Sequence, residues 1–254
     1  MSQIKNITDS GFLIESPLSL SKDEVQLWRV DLEALGADEP RWQRVLSADE
    51  AARASRFHFA RDRQRYVAAR ALLRIILASY LETDAGSLRF SYSEKEKPSL
   101  GPEHAHCDVR FNITHSGGIA LLAFTRGREI GVDVEQIRHD FDPGAIARRY
   151  FSTHEQNQLA DLPAEEKVEG FYRCWTRKEA YIKATGDGLS LPLSQFDVSL
   201  VPGEPNALLA TRPDPSEAGS WLLQEVAAGP GYVAALCARG RDWKLNDWSN
   251  IRAT

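Results

Sequence analysis

Two runs of this chain read alike: Gly118-Ile-Ala-Leu-Leu-Ala-Phe-Thr-Arg-Gly127 and Gly231-Tyr-Val-Ala-Ala-Leu-Cys-Ala-Arg-Gly240. Each follows, at a similar distance, an arginine-bearing helical stretch (Tyr66–Leu81 and Tyr172–Ala184) and a short strand near Phe90 or Phe196. A run repeated together with its neighbours predicts an α+β protein made of two similar halves. A chain of 254 residues is long enough to give each half a core. We place the seam near Arg128, with an N-terminal half over 1–128 and a C-terminal half over 129–254. Ligand sites often lie in such seams.

Composition limits the partners. There are 31 Lys+Arg against 36 Asp+Glu, a net charge of -5, which disfavours nonspecific nucleic-acid binding. Cys107, Cys174 and Cys237 form an odd, widely spaced set, neither a disulfide framework nor a zinc pattern, and predict a reducing compartment. Between Met1 and Leu20, Lys5, Asp9 and Glu15 interrupt the apolar residues, unlike the core of a signal peptide. No run approaches the ~18 apolar residues of a membrane span. The expectation is a soluble, cytoplasmic protein that does not engage membrane.

Local patterns place the elements. Helical spacing is read over Ala48–Ser55 and Asp62–Leu81, with Val67, Ala71, Ile75 and Ala78 on one stripe. Strands are expected at Leu88–Tyr92, Val109–Thr114, Ile119–Phe124 and Ile130–Glu135. Further helices follow at Pro143–Tyr150, Thr153–Leu162 and Glu166–Ala184, the last closed by Gly186 and Gly188. Val201–Ser220 reads as a loop, and Trp221–Val226 with Tyr232–Ala238 as a hairpin. Nine arginines between Arg41 and Arg74 face only Asp49, Glu50 and Asp62. Most are expected on a solvated helix face, Arg61 and Arg65 included, with a few free to meet a polyanion.

Four short motifs carry the chemistry. Along Gly131-Val-Asp-Val-Glu135, alternation turns Val132 and Val134 to a core and Asp133 and Glu135 to the other face. Two carboxylates about 7 Å apart on one face repel unless a cation lies between them, so the pair reads as a hard-metal site or a solvated strand face. In Trp175-Thr-Arg-Lys-Glu-Ala-Tyr-Ile-Lys183, helical spacing stacks Trp175, Glu179 and Lys183. That offers either a surface Glu179–Lys183 pair or a third carboxylate and a cation beside a phosphate. Thr114-His115-Ser116 ends a strand with hydroxyl and imidazole donors before two glycines. Lys95 and Lys97 occupy the turn Ser93–Pro98.

Taken together these pieces resemble the Sfp-type 4′-phosphopantetheinyl transferases. The matching elements stand in family order: Arg56-Phe57 with Asp62-Arg63, Lys97-Pro98, Phe111-Asn-Ile-Thr-His-Ser116, Gly131-Val-Asp-Val-Glu135 and Trp175 to Lys183, then Gly186-Asp-Gly-Leu-Ser-Leu-Pro192. They span about residue 50 to 200. The resemblance implies two similar α+β halves related by a pseudo-twofold, in keeping with the repeat. It implies transfer of the phosphopantetheine arm of coenzyme A to a serine of an apo acyl or peptidyl carrier protein, with release of adenosine 3′,5′-bisphosphate, by a monomer. It implies Mg²⁺, or Mn²⁺, on Asp133, Glu135 and Glu179. It implies coenzyme A contacts from Arg53, Lys95, Lys97, Pro98, Thr114, His115, Asp133 and Lys183, placing these mostly in the N-terminal half. Glu179 would take the serine proton, and Lys183 and Asp133 complete the catalytic set. Two departures stand out: Glu96 where glycine is usual before Lys-Pro, and Thr114 where serine is usual. The residues taken alone also suit a metal-dependent phosphohydrolase, with water as nucleophile, or a module that only binds coenzyme A or a carrier.

Overall fold

The two echoing runs become the middle strands of two different sheets. The computed structural model describes residues 17–33, 35, 39–186 and 188–248. Most of the N-terminal segment read above lies outside these residues, as do Asp187 and the tail beyond Trp248. The first part of the chain runs β1 (Glu24–Asp31), α1 (Glu39–Gln43), α2 (Ala48–Ala54), α3 (Ala60–Leu81), β2 (Phe90–Tyr92), β3 (Pro98–Leu100), β4 (Val109–Ser116) and β5 (Ile119–Arg126). The second runs β6 (Ile130–Gln136), α4 (Pro143–Tyr150), α5 (Thr153–Asp161), α6 (Lys167–Thr185), β7 (Phe196–Val198), β8 (Leu208–Thr211), β9 (Trp221–Glu225), β10 (Tyr232–Arg239) and β11 (Lys244–Asp247). This is the expected α+β class.

Connectivity repeats. β5 lies between β1 and β4 in one sheet, and β10 lies between β6 and β9 in the other. All four pairings are antiparallel. Each sheet is therefore an opening strand, then a long helix, then a hairpin whose second strand returns beside the first. The last strand crosses over: β11 pairs with β1 in parallel, Lys244 opposite Glu24. Behind it Trp248 stacks on Trp28 with ring centroids 4.9 Å apart.

The same polar device anchors the long helix of each part. Ser47-Ala-Asp-Glu50 and Ser152-Thr-His-Glu155 are capping boxes, a pattern that satisfies the first free N–H groups of a helix. In both, the glutamate is buried and turns its charge to the long helix. Glu50 takes Arg74 Nε at 2.5 Å and an Arg70 nitrogen at 2.6 Å. Glu155 takes Lys178 Nζ at 2.8 Å, together with the N–H groups of Ser152 and Val198. A buried charge persists only when paired and hydrogen-bonded, and both are. Arg70 and Arg74 are thus core residues, not a solvated face. Arg65, expected in solvent, pairs with Glu33.

Apolar surface is shared among three clusters. One gathers α3 under the first sheet, a second gathers α6 under the second, and a third lies between the sheets. In the third, Val25, Leu27 and Leu121 meet Val132, Val134 and Leu236. Covered on both faces, β1 is buried continuously from Val25 to Trp28, so it carries no alternation to read. The Val201–Ser220 stretch holds more structure than a loop: β8 pairs with β7, and Pro215–Ser220 is a 3₁₀ turn.

Candidate active site at the seam

The closest approach in the second half is at Gly131. A Cβ there would lie 2.1 Å from the Ala180 carbonyl oxygen and 2.4 Å from the Ala184 nitrogen. Only glycine lets α6 settle directly onto β6, and that contact carries Glu179 and Lys183 over the strand bearing Asp133 and Glu135. β6 also runs beside β4, whose Asn112, Thr114 and Ser116 bond across to Val132, Asp133 and Glu135. Both strands are polar at alternate positions, and these polar side chains meet at the seam rather than facing solvent.

Lys183 is the hub. Its Nζ lies 2.5 Å from Asp133 Oδ1, 3.1 Å from Thr114 Oγ1 and 3.4 Å from the Val132 carbonyl. The Thr114 hydroxyl also donates to Asp133 Oδ1 at 3.3 Å. Asp133 is buried, yet its Oδ2 has no hydrogen-bond partner. The Ser116 hydroxyl donates to Glu135 Oε2 at 2.9 Å. The Glu179–Lys183 pair along the helix is replaced by the reach of Lys183 to Asp133. Trp175 leaves the site altogether and stacks on Phe171 at 5.7 Å.

The electrostatics are those of a crowded acid cluster. Burial pushes the Asp133 carboxyl up, against the pull of Lys183 and Thr114. Burial first, then the Asp133 charge, raises Glu135. Glu179 is raised by burial, by Asp133 and by Glu135, with Lys183 opposing. Such mutual elevation marks carboxylates held together against their repulsion. Among the described residues no three His, Cys, Asp or Glu side chains converge tightly enough to hold a metal ion as they stand. The donor set nonetheless fits a hard cation. All three groups offer carboxylate oxygen, and Asp133 Oδ2 is a buried acceptor that nothing satisfies.

The remaining sequence-predicted residues scatter around this hub. His115, on the opposite face of β4 from Thr114, keeps an exposed edge. Desolvation by the surrounding protein, followed by the Lys183 and Arg65 charges, holds its imidazole below the ordinary value. Lys97 is turned inward: its ammonium donates to the carbonyls of Ile130 (3.3 Å) and Ala184 (3.2 Å). Burial lowers its pKa, partly offset by Glu129. With Pro98 it lines a cavity of about 390 Å³ against Phe111 and Gly186. The Lys95 stem lies against Gly188, where a Cβ would come within 3.1 Å. Arg53 sits in a separate open cleft of about 640 Å³ with Arg56, Phe57, Tyr66 and Tyr92, and is 3.8 Å from Glu96.

The sequence motifs contain Gly131 and Asn112 but assign them no role, and they do not reveal the paired role of the polar face of β4. Asn112 Oδ1 accepts the Val132 N–H at 2.9 Å, which locks β6 beside β4. The available signal was that Asn112, Thr114 and Ser116 repeat the alternation of Asp133 and Glu135. Two strands with one polar face each can satisfy those faces against one another.

Known proteins are similar to this chain in sequence on both sides of the seam. A family model described as the 4′-phosphopantetheinyl transferase superfamily matches residues 129–237, and one described as 4′-phosphopantetheinyl transferase, N-terminal, matches residues 38–126. The 4′-phosphopantetheinyl transferase HetI of Nostoc sp. is 40% identical over 231 residues, covering 91% of this chain and 94% of that protein. The 4′-phosphopantetheinyl transferase Sfp of Bacillus subtilis is 31% identical over 236 residues, 92% of each chain. The human L-aminoadipate-semialdehyde dehydrogenase-phosphopantetheinyl transferase is 27% identical over 215 residues, 78% of this chain and 69% of that one. Likeness of this extent, across both sides of the seam, makes the chain a member of the 4′-phosphopantetheinyl transferase family.

Proposed function

We propose that this chain, acting as a cytoplasmic monomer, moves the 4′-phosphopantetheine arm of coenzyme A to a serine of an apo acyl or peptidyl carrier protein. The observation that carries the reading is the meeting of Asp133, Glu135, Glu179 and Lys183 at the seam, with Asp133 Oδ2 buried and unsatisfied. All four come from one chain, so no second copy is needed to complete the set.

Asp133, Glu135 and Glu179 are the residues that would hold Mg²⁺. Bound there, the ion would supply charge neutralisation on the pyrophosphate. The rest falls to the side chains. Glu179, its carboxyl already raised, accepts the proton of the attacking serine hydroxyl, directly or through water. As the serine oxygen bonds to phosphorus, the bond to the bisphosphate leaving group breaks. Lys183, drawn between Asp133 and Thr114, stabilises the charge that develops there. The nucleotide end needs cations for its 3′-phosphate and a flat surface for its base. The Arg53 cleft offers Arg53 and Arg56 beside Phe57, Tyr66 and Tyr92, with Asp49, Glu50 and Glu96 also in its lining. His115 and Lys95, outside that lining, are the further contacts of this reading.

Intact-mass spectrometry of an apo carrier protein incubated with the chain, coenzyme A and Mg²⁺ tests the reading. A gain of one phosphopantetheine that EDTA abolishes is the expected result. Coenzyme A consumed without an acceptor would instead indicate hydrolysis, and binding without turnover a non-catalytic module.

A further inference from the structure

β4 and β6 belong to different sheets, so no ladder of backbone hydrogen bonds fixes one against the other. Side chains do so instead. Asn112, Thr114 and Ser116, two residues apart along one face of β4, bond in turn to Val132, Asp133 and Glu135. Ser116 is the outermost of the three and bonds twice. Its hydroxyl donates to Glu135 Oε2 at 2.9 Å and accepts the Gln136 N–H at 3.1 Å. Among the described residues this is the single hydrogen bond to the Glu135 carboxylate.

The serine is itself held from the second half. The turn after it begins at Gly117 with φ +54, where a Cβ would stand 2.6 Å from both Gln136 Oε1 and Tyr232 Oη. The Gly118 N–H donates to the Tyr232 hydroxyl at 3.1 Å. Gln136 and Tyr232 therefore grip the turn and leave Ser116 one place to stand. Glu135 needs that support. It is only half-buried, it shares a strand face with Asp133, and repulsion would swing an unsupported carboxylate outward to water.

We propose that Ser116 is a positioning residue for the transfer reaction: its hydroxyl keeps Glu135 aimed into the seam as a ligand of the divalent cation. This rests on the Mg²⁺ reading given above. Hydrogen-bonding partners of metal ligands typically contribute about 10–100-fold to metal affinity. Ser116→Ala removes the bond, whereas Ser116→Thr keeps a hydroxyl at the same place.

The test is a titration of Mn²⁺ into the metal-free full-length chain, read by the electron paramagnetic resonance of free Mn²⁺. Thermal melts accompany it to establish that each variant folds. The expected result is that Ser116→Ala binds Mn²⁺ about tenfold more weakly than the wild type and Ser116→Thr returns most of the loss. In parallel, the Mg²⁺ concentration for half-maximal transfer rises for Ser116→Ala while kcat at saturating Mg²⁺ is largely kept. Equal Mn²⁺ affinity in folded wild type and Ser116→Ala overturns this proposal alone. No Mn²⁺ binding by the wild type, with or without coenzyme A, overturns it together with the metal reading.

Discussion

Lys178 and Lys183 stand five residues apart on α6 and do opposite things. The Lys178 side chain is 0% exposed and donates to the carbonyls of Leu193 (2.7 Å) and Phe196 (2.6 Å) as well as to Glu155. The Lys183 side chain is 29% exposed and reaches Asp133 at the seam. Five residues advance a helix by roughly 140°, so neighbouring lysines of one motif face different environments.

Replacing Lys178 should therefore be a stability lesion. Lys178→Met strands Glu155 as a buried, unpaired charge and is expected to destabilise by about 3–5 kcal/mol. Urea denaturation would measure it. Lys183→Arg, which keeps a cation beside buried Asp133, is expected to lower transfer with a much smaller loss of stability. Comparable destabilisation by both variants would contradict the distinction.

Glu179→Gln should separate stability from activity. The Asp133, Glu135 and Glu179 carboxyls are all raised in the folded chain. A raised carboxyl favours the folded state below its unfolded value of about 4.3, and that contribution is lost as pH climbs through the folded value. Metal-free Glu179→Gln is thus expected to melt higher than wild type near neutral pH, by up to about 1 kcal/mol, with the gap closing toward acid. Transfer should fall by about 10²–10⁴-fold. Paired melting curves across pH check the first claim; a gap that does not change with pH would refute it.

Gly131→Ala tests the helix–strand contact. The added Cβ meets Ala180 and Ala184 backbone atoms, which have no side-chain freedom to yield. Overpacking of this kind costs about 1–3 kcal/mol or more. Because α6 would lift from β6, transfer is expected to drop even at temperatures where the variant is fully folded. Circular dichroism melts with single-temperature transfer assays would resolve the two effects.

Lys97 and Arg53 should part company. Lys97→Met removes the donor from the Ile130 and Ala184 carbonyls and is expected to destabilise by about 1–3 kcal/mol. Arg53→Ala, at an open cleft, is expected to leave stability within about 0.5 kcal/mol and to raise KM for coenzyme A. Melting temperatures and KM measured on both variants decide whether Lys97 is a clip between the halves or a substrate contact.

Much of this was legible along the chain. The strand pattern Ile130–Glu135 places both carboxylates on one face, and helical spacing brings Glu179 and Lys183 into register. The hairpin of β9 and β10 and the long helices also fall where their periodicities put them, within a residue or two. β1 and β11 escaped. The first is buried on both faces, and the second is a short edge strand whose partner lies more than 200 residues earlier, at Glu24–Leu27.

What the sequence by itself determined was the local set: which stretches are helix or strand, which side chains share a face, and which acids could meet a cation. Those follow from the 3.6- and 2-residue periods of the backbone, which any short window records. Only the tertiary structure decided what each face meets. It turned the polar face of β4 onto that of β6, sealed Lys178, Arg70 and Arg74 inside, folded Lys97 inward and left Lys183 at the seam. Burial and pairing depend on surfaces brought together from distant parts of the chain, and a local period carries no information about its partner.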